Sequence, residues 1–215
     1  NDAAAAGAEP VGLLVTLLLP PSSSLEEIGR IADDLAAAAQ LANVDILGGH
    51  TEVTDSVTRP VTSATVVARQ ARGKALAGMK PGDEIVMTKS AAIEGTTILA
   101  EDFPHLLTAV SAETLASARA FCGKLSIVPE STIAMHFGAV AMHDVTEGGV
   151  LGAVWELAYA NGCGAEVFSD RISIRPETRA LCAEAGLDPL RLIGSGSLLI
   201  ACKDGEALVH ALKSR

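Results

Sequence analysis

Between Ala141 and Ala158 the chain reads AMHDVTEGGVLGAVWELA, and its character changes three times within a few residues. Ala139–Met142 is a short apolar run that can enter as a buried strand or the end of an element. His143, Asp144, Thr146 and Glu147 then crowd an imidazole, two carboxylates and a hydroxyl together. Gly148-Gly149 follows, and from Val150 apolar residues (Val150, Leu151, Val154, Leu157, Ala158) return at helical spacing. A carboxylate ahead of a Gly-Gly that opens a helix has a chemical use. The glycines let the backbone approach an anion, and the helix start supplies N–H groups and a positive dipole end. The carboxylate can hold the Mg²⁺ that accompanies a polyphosphate. The same residues also make a plain tight turn in which Asp144 or Thr146 caps the helix, and this stretch alone does not choose between the two. His143 reads either as a phosphate donor or as a satisfied structural residue. Glu147 reads as a charge that compensates the helix dipole. Trp155, at helical spacing, is expected in the core and not as a base-stacking platform.

Two further places invite chemistry. Gly48-Gly49-His50-Thr51-Glu52 follows an apolar run, Val44–Leu47, expected as a short buried strand. The segment is either a strand-end loop that faces a ligand or a Gly-Gly turn into a hairpin with His50 on the surface. Lys89 follows a strand and precedes Ser90–Gly95. It is either a phosphate ligand or a solvated loop lysine.

The elements that must position these residues follow from periodicity. Asn1–Ala8 is rich in alanine and reads as a helix former. Val11–Leu19 is a buried strand. Ser24-Leu25-Glu26-Glu27 is a capping box, opening a helix to about Ala42 with Leu25, Ile28, Ile31 and Leu35 on one face. Pro60–Ala68 is a strand rich in β-branched residues. A boundary is placed in Arg72–Gly82, beside the turn Lys80-Pro81-Gly82-Asp83. Beyond it come strands at Glu84–Thr88, Ala165–Phe168 and Leu198–Cys202. Helices are expected from Ile93, over Ser111–Leu125 with Ser111 as N-cap, and over Ser131–Phe137, Glu177–Ala185 and Gly205–Leu212. This mixed order argues for two α+β domains, residues 1–75 and 76–215, rather than a doubly wound sheet.

Composition sets limits on partners. The chain has 215 residues and is 49% hydrophobic, which suffices for a core, but only 3% aromatic, so that core is aliphatic. With 26 acidic against 16 basic residues the net charge is −10, which argues against nucleic acid or an anionic membrane surface as the main partner. Cys122, Cys163, Cys182 and Cys202 lack CxxC spacing, so neither a zinc site nor a disulfide framework is indicated, and a reduced cytoplasmic setting is expected. Val11–Leu19 is too short to span a bilayer and is stopped by Pro20-Pro21. Both ends read as cut from a longer protein.

Taken together, the motifs are more specific than any one alone. Asn1-Asp2 with Gly7-Ala8-Glu9-Pro10, Gly48-Gly49-His50-Thr51, Lys80-Pro81-Gly82-Asp83, His143–Gly149 and Gly186-Leu187-Asp188-Pro189-Leu190 occur in that order. This resembles the aminoimidazole-ribonucleotide (AIR) synthase superfamily over nearly the whole chain, nearest its hydrogenase-maturation carbamoyl dehydratase branch. Asp144–Gly149 and Gly186–Leu190 are similar to that branch, whereas Gly48-Gly49-His50 is similar to selenophosphate synthetase.

The resemblance implies an N-terminal α+β domain whose strands pair across a homodimer, followed by a C-terminal α/β sandwich domain. It implies ATP and Mg²⁺ as cofactors, with Asp2 and Asp144 as metal ligands. Gly48, Gly49, His50, Thr51, Thr146, Gly148 and Gly149 would contact the nucleotide, and no catalytic residue is assigned. The implied reaction is ATP-driven dehydration of a protein thiocarboxamide to a thiocyanate, with a carbamoyl-transferring maturation protein as partner. Another ligase or small-molecule kinase of the superfamily, or a nucleotide-binding dimer without turnover, remain alternatives. The family's glycine-rich loop lies upstream of the Asn-Asp motif, and the dehydratase's terminal cysteine has no counterpart at Arg215. His50 stands where several members carry an acid. Residues 1–215 are therefore expected to fold yet bind ATP only weakly.

Overall fold

The computed structural model describes residues 1–70 and 75–214. The chain divides into two compact units, Ala8–Gly73, and Asn1–Gly7 together with Lys74–Arg215. The boundary expected in Arg72–Gly82 falls in part outside the described residues.

The first unit is a three-stranded sheet in the order β2-β1-β3, with β1 at Glu9–Leu19, β2 at Asp45–Val53 and β3 at Val61–Arg69. β1 and β2 run parallel, so the chain must cross over between them, and the helix α2 (Leu25–Leu41) makes that crossover. Ser24 caps α2 as expected, its Oγ accepting from the Glu27 amide at 3.1 Å. β3 returns antiparallel to β1. Val15, Leu17 and Leu19 are buried at alternate positions of β1, as the pleat requires.

β2 departs from the sequence expectation in two respects. It is exposed throughout instead of buried, and it does not end at Leu47. Leu47 is an extra residue in the ladder, because Leu13 pairs with Ile46 and Leu14 with Gly48. The strand then continues through Gly48–Glu52, so these residues form neither a strand-end loop nor a hairpin turn. Glycine makes this possible on both strands. A Cβ on Gly12 would lie 2.5 Å from the Leu47 side chain, and one on Gly49 would lie 1.8 Å from the Val15 carbonyl oxygen. β3 is exposed along its whole length as well.

The second unit is built on an antiparallel sheet in the order β4-β6-β5, with β4 at Glu84–Met87, β5 at Ala141–Asp144 and β6 at Leu198–Cys202. β6 is central and wholly buried, and its alternation divides the core. Leu199 and Ala201 meet Val150, Ala153, Val154 and Leu157 of α6 (Gly149–Ala160). Leu198, Ile200 and Cys202 face the opposite layer. That layer holds Ala4 and Ala5 of α1 (Asp2–Ala5), Ala134 of α5 (Val128–Phe137) and Leu208 of α8 (Gly205–Lys213). A third cluster joins α3 (Ile93–Asp102), α4 (Ala112–Arg119) and α7 (Pro176–Ala185) through Ala100, Ala118 and Leu181. Ser111 caps α4 as expected, accepting from the Thr114 amide at 3.1 Å, but the helix turns to 3₁₀ geometry at Ala120. Gly186 ends α7 in the left-handed conformation at φ +67°.

Two expectations fail in this unit. Ala165–Phe168 is not a strand: no neighbour pairs with it, and its β-like composition has no ladder to join. Trp155 is not core, being 64% exposed. The buried stripe of α6 runs through Val150, Ala153, Val154, Leu157 and Ala158, and Trp155 falls outside it. Its indole stacks instead on Tyr159 one turn later, with ring centroids 5.2 Å apart and planes 13° apart.

Candidate nucleotide and metal site

Asp144 is the last residue of β5, fixed by the ladder opposite Leu198. The chain then turns sharply. The Val145 amide donates to the Ser197 carbonyl, and the Thr146 carbonyl accepts from the amides of Gly149 at 3.1 Å and Gly194 at 3.3 Å. Gly148 (φ +80°) and Gly149 (φ +63°) are both left-handed. A Cβ on Gly149 would lie 2.6 Å from the Leu190 carbonyl oxygen, so only glycine lets the 190–192 backbone come this close.

A tight turn is present, but no side chain caps the helix. The N-cap of α6 is Gly148, with no side-chain bond. Neither Asp144 nor Thr146 caps the helix, and the Asp144 side chain remains half-buried at a strand end. The helix start is also less open than its sequence suggests. Of the four amides at a helix start, that of Gly149 is taken by Thr146 and that of Leu151 by the Leu190 carbonyl at 3.1 Å.

Asp2 lies exposed in α1, and α1 packs against β5. Asn1 beside it ties this short helix down: its Nδ2 donates to the Leu125 carbonyl at 2.8 Å, and its Oδ1 accepts from the Ile127 amide at 3.1 Å. Among the described residues no three His, Cys, Asp or Glu side chains form a ready-made metal cage. Mg²⁺ is usually held by one or two carboxylates plus phosphate and water, and Asp144 and Asp2 each offer one carboxylate.

His143 is structural here, with Nδ1 2.6 Å from the Asp144 carbonyl and Nε2 3.2 Å from Glu156. Lys89 matches neither of its readings. Its ammonium donates to the carbonyls of Lys124 (3.3 Å), Ser126 (2.6 Å) and Gly196 (2.9 Å) and pairs with Glu130 at 3.0 Å. An ammonium has three donors, and these acceptors use them all. Its backbone is left-handed at φ +52°, which no sequence pattern announced. In the first unit His50 and Glu52 share a face of β2 and lie 3.5 Å apart, both well exposed.

A groove of about 630 Å³ runs between β4 and the Cys163–Phe168 segment, with Met79, Ile85, Val154, Phe168 and Leu199 among its walls. Asp144, Thr146 and Gly148 do not line it.

Residues 1–70 match the AIR synthase related protein N-terminal domain, and residues 80–215 match the C-terminal domain. The chain therefore belongs to the AIR synthase related protein family. It is 31% identical to the carbamoyl dehydratase HypE of Rhodobacter capsulatus over 96% of this chain and 60% of that protein. The structure of hydrogenase maturation protein HypE in complex with ATP matches with a TM-score of 0.82 at 21% identity, covering 100% of this chain and 64% of the other. A HypE–HypF complex matches with a TM-score of 0.74 at 22% identity, covering 100% and 70%. The chain spans about 60% of the length of the curated relatives it matches. These matches bear out the two-domain α+β expectation and the superfamily. No helix among the described residues is long and apolar enough to cross a membrane.

Proposed function

We propose that this chain is the ATP- and Mg²⁺-binding part of an enzyme of the carbamoyl dehydratase type. The observation that carries the reading is Asp144. It is held at a strand end before two left-handed glycines, and it is not spent as the cap of the helix that follows. Asp144 and Asp2 are the proposed metal ligands. Thr146, Gly148 and Gly149 would meet the phosphates. Likeness to HypE, solved with ATP, supports the nucleotide. Mg²⁺ would neutralise phosphate charge during transfer.

The proposed reaction takes –S–C(=O)–NH₂ on a protein cysteine with ATP to –S–C≡N, ADP and phosphate. The amide oxygen leaves with the phosphate, and both nitrogen protons are lost. A carbamoyl-transferring maturation protein is the proposed partner, a reading supported by the HypE–HypF complex. The first unit is proposed to pair with a second copy of itself. β2 and β3 are exposed throughout, and Leu14, Ile46, Val53 and Val66 remain exposed on this sheet. A sheet this bare is normally covered or paired. Light scattering that gives a monomer at micromolar concentration would refute the dimer.

The nucleotide reading is tested by calorimetry on the full-length protein with Mg²⁺–ATP. Asp144→Asn keeps the shape and removes the charge, and affinity should fall at least about tenfold, near 1.4 kcal/mol. Equal affinity in variant and parent would remove Asp144 from the site.

A further inference from the structure

A second, smaller cavity in the same unit, about 190 Å³, is lined by Lys89, Lys124 and Arg175, by Ser90 and Ser173, and by Phe121. The chain carries a net charge of −10, yet three cations and no carboxylate line this one cavity. The three are not equivalent. Lys89 is spent on three carbonyls and Glu130. Lys124 lies over the Phe121 ring, 4.9 Å from its centroid. Arg175 comes only to 3.8 Å of Glu177, at the outer limit of an ion pair. Ser117 Oγ donates to the other oxygen of Glu177 at 2.7 Å, and at 3.8 Å Arg175 makes no hydrogen bond to the nearer one. Lys124 and Arg175 therefore keep donors for something else.

The wall that carries Lys124 is fixed in advance. Lys89 holds the carbonyls of Lys124 and Ser126, and Asn1 holds the carbonyl of Leu125 and the amide of Ile127. Four successive residues are thus pinned by two side chains that come from distant parts of the chain. Preorganised donors bind an anion better than mobile ones, because less ordering accompanies binding.

We propose that this cavity is an oxyanion subsite that takes a phosphate or carboxylate group of a small ligand. Lys124 and Arg175 are its charge partners, Ser90 and Ser173 supply hydroxyl donors, and Lys89 is a positioning residue that never touches the ligand. The cavity is smaller than the roughly 300 Å³ at which sites for drug-sized ligands begin, so it takes one such group with a few attached atoms and not a whole nucleotide. The proposal does not rest on the ATP reading.

The test is a nuclear magnetic resonance titration of the isotope-labelled full chain at constant ionic strength, first with inorganic phosphate and then with acetate. Saturable shifts at the amides of Ser90, Lys124, Ser173 and Arg175 are expected. Lys124→Gln and Arg175→Gln should each weaken binding about tenfold, the loss of one charge-assisted bond, with the rest of the spectrum unchanged. A response to phosphate alone assigns a phosphoester group, and a response to both admits carboxylates. No saturable shift at these amides, unchanged affinity in the double variant, or phosphate shifts confined to Gly148–Val150 would overturn the subsite. Failure of Mg²⁺–ATP to bind while the phosphate shifts persist would sink the nucleotide reading alone.

Discussion

Lys89 Nζ lies 3.0 Å from Glu130 Oε1, with the two side chains 24% and 18% exposed, and joins a loop after β4 to helix α5. The other Glu130 oxygen is buried without a partner, so the carboxylate depends on this one ammonium. Lys89→Met keeps the aliphatic stem and deletes the charge, leaving Glu130 and three carbonyls short of a donor. The expected loss is about 2–3 kcal/mol in urea unfolding. A change within about 0.5 kcal/mol, the range of ordinary surface substitutions, would show that water replaces the ammonium without cost.

The two glycines of β2 should differ sharply. Gly48 and Gly49 have φ of +153° and +148°, so alanine is strained at both. A Cβ on Gly48 meets nothing within 4 Å, whereas one on Gly49 would overlap the Val15 backbone. Gly48→Ala should cost about 1 kcal/mol from conformation alone. Gly49→Ala must also push β2 away from β1, and hydrogen exchange of the β1 amides should show that opening. Similar thermal midpoints for the two variants would contradict the close approach.

Acid stability should depend on Asp83. The Lys203 ammonium, and after it the Lys80 amide, hold the Asp83 carboxyl below the usual carboxylate range. A carboxyl with a lowered folded pKa stabilises the fold above its unfolded pKa, and that contribution is lost as pH falls through the folded value. Lys203→Met should therefore lower stability near neutrality and flatten its decline on going from about pH 7 to about pH 3. Parallel pH profiles of the urea midpoint in parent and variant would show that the pair contributes nothing.

Thiol reactivity should be graded by position. Burial pushes the thiols of Cys182 and Cys202 above their ordinary range, while Cys122 is exposed. A thiol reagent at neutral pH should label Cys122 quickly and the buried pair only on unfolding, since the thiolate is the reactive form. Rapid labelling of Cys202 in the native protein would mean that β6 opens far more readily than a central strand should.

Much of the fold was legible wherever local chemistry and tertiary context agree. Ser24 and Ser111 cap the helices they were expected to cap, Gly186 ends α7, and Leu198–Cys202 is a strand as its run of apolar residues implies. The errors have a common physical origin. Ala165–Phe168 has the composition of a strand, but a strand exists only through a neighbour, which no local pattern reveals. β2 runs on through Gly48-Gly49 because a single extra residue, Leu47, is absorbed over the bare backbone of Gly12. Two glycines in a row look like a turn until the partner strand is known. Trp155 is apolar but lies off the buried stripe of α6, so its hydrophobicity does not predict its place. At the candidate site, the Gly148-Gly149 turn that opens α6 could be read directly. That the helix start is half-occupied by the carbonyls of Thr146 and Leu190, and that Lys89 is spent, depends on contacts made from far along the chain.

The stacked pair on α6 has an optical consequence. Trp155 is the chain's single tryptophan and Tyr159 its single tyrosine, so the intrinsic fluorescence of the protein arises on one helix. At 5.2 Å the tyrosine passes its excitation to the indole, and the emission becomes that of one half-solvated ring. This ring stands between one and two turns along the helix that opens at Gly148-Gly149. Any ligand that tightens or shifts that first turn changes the surroundings of the only strong emitter, and occupancy can be followed by fluorescence with no label attached.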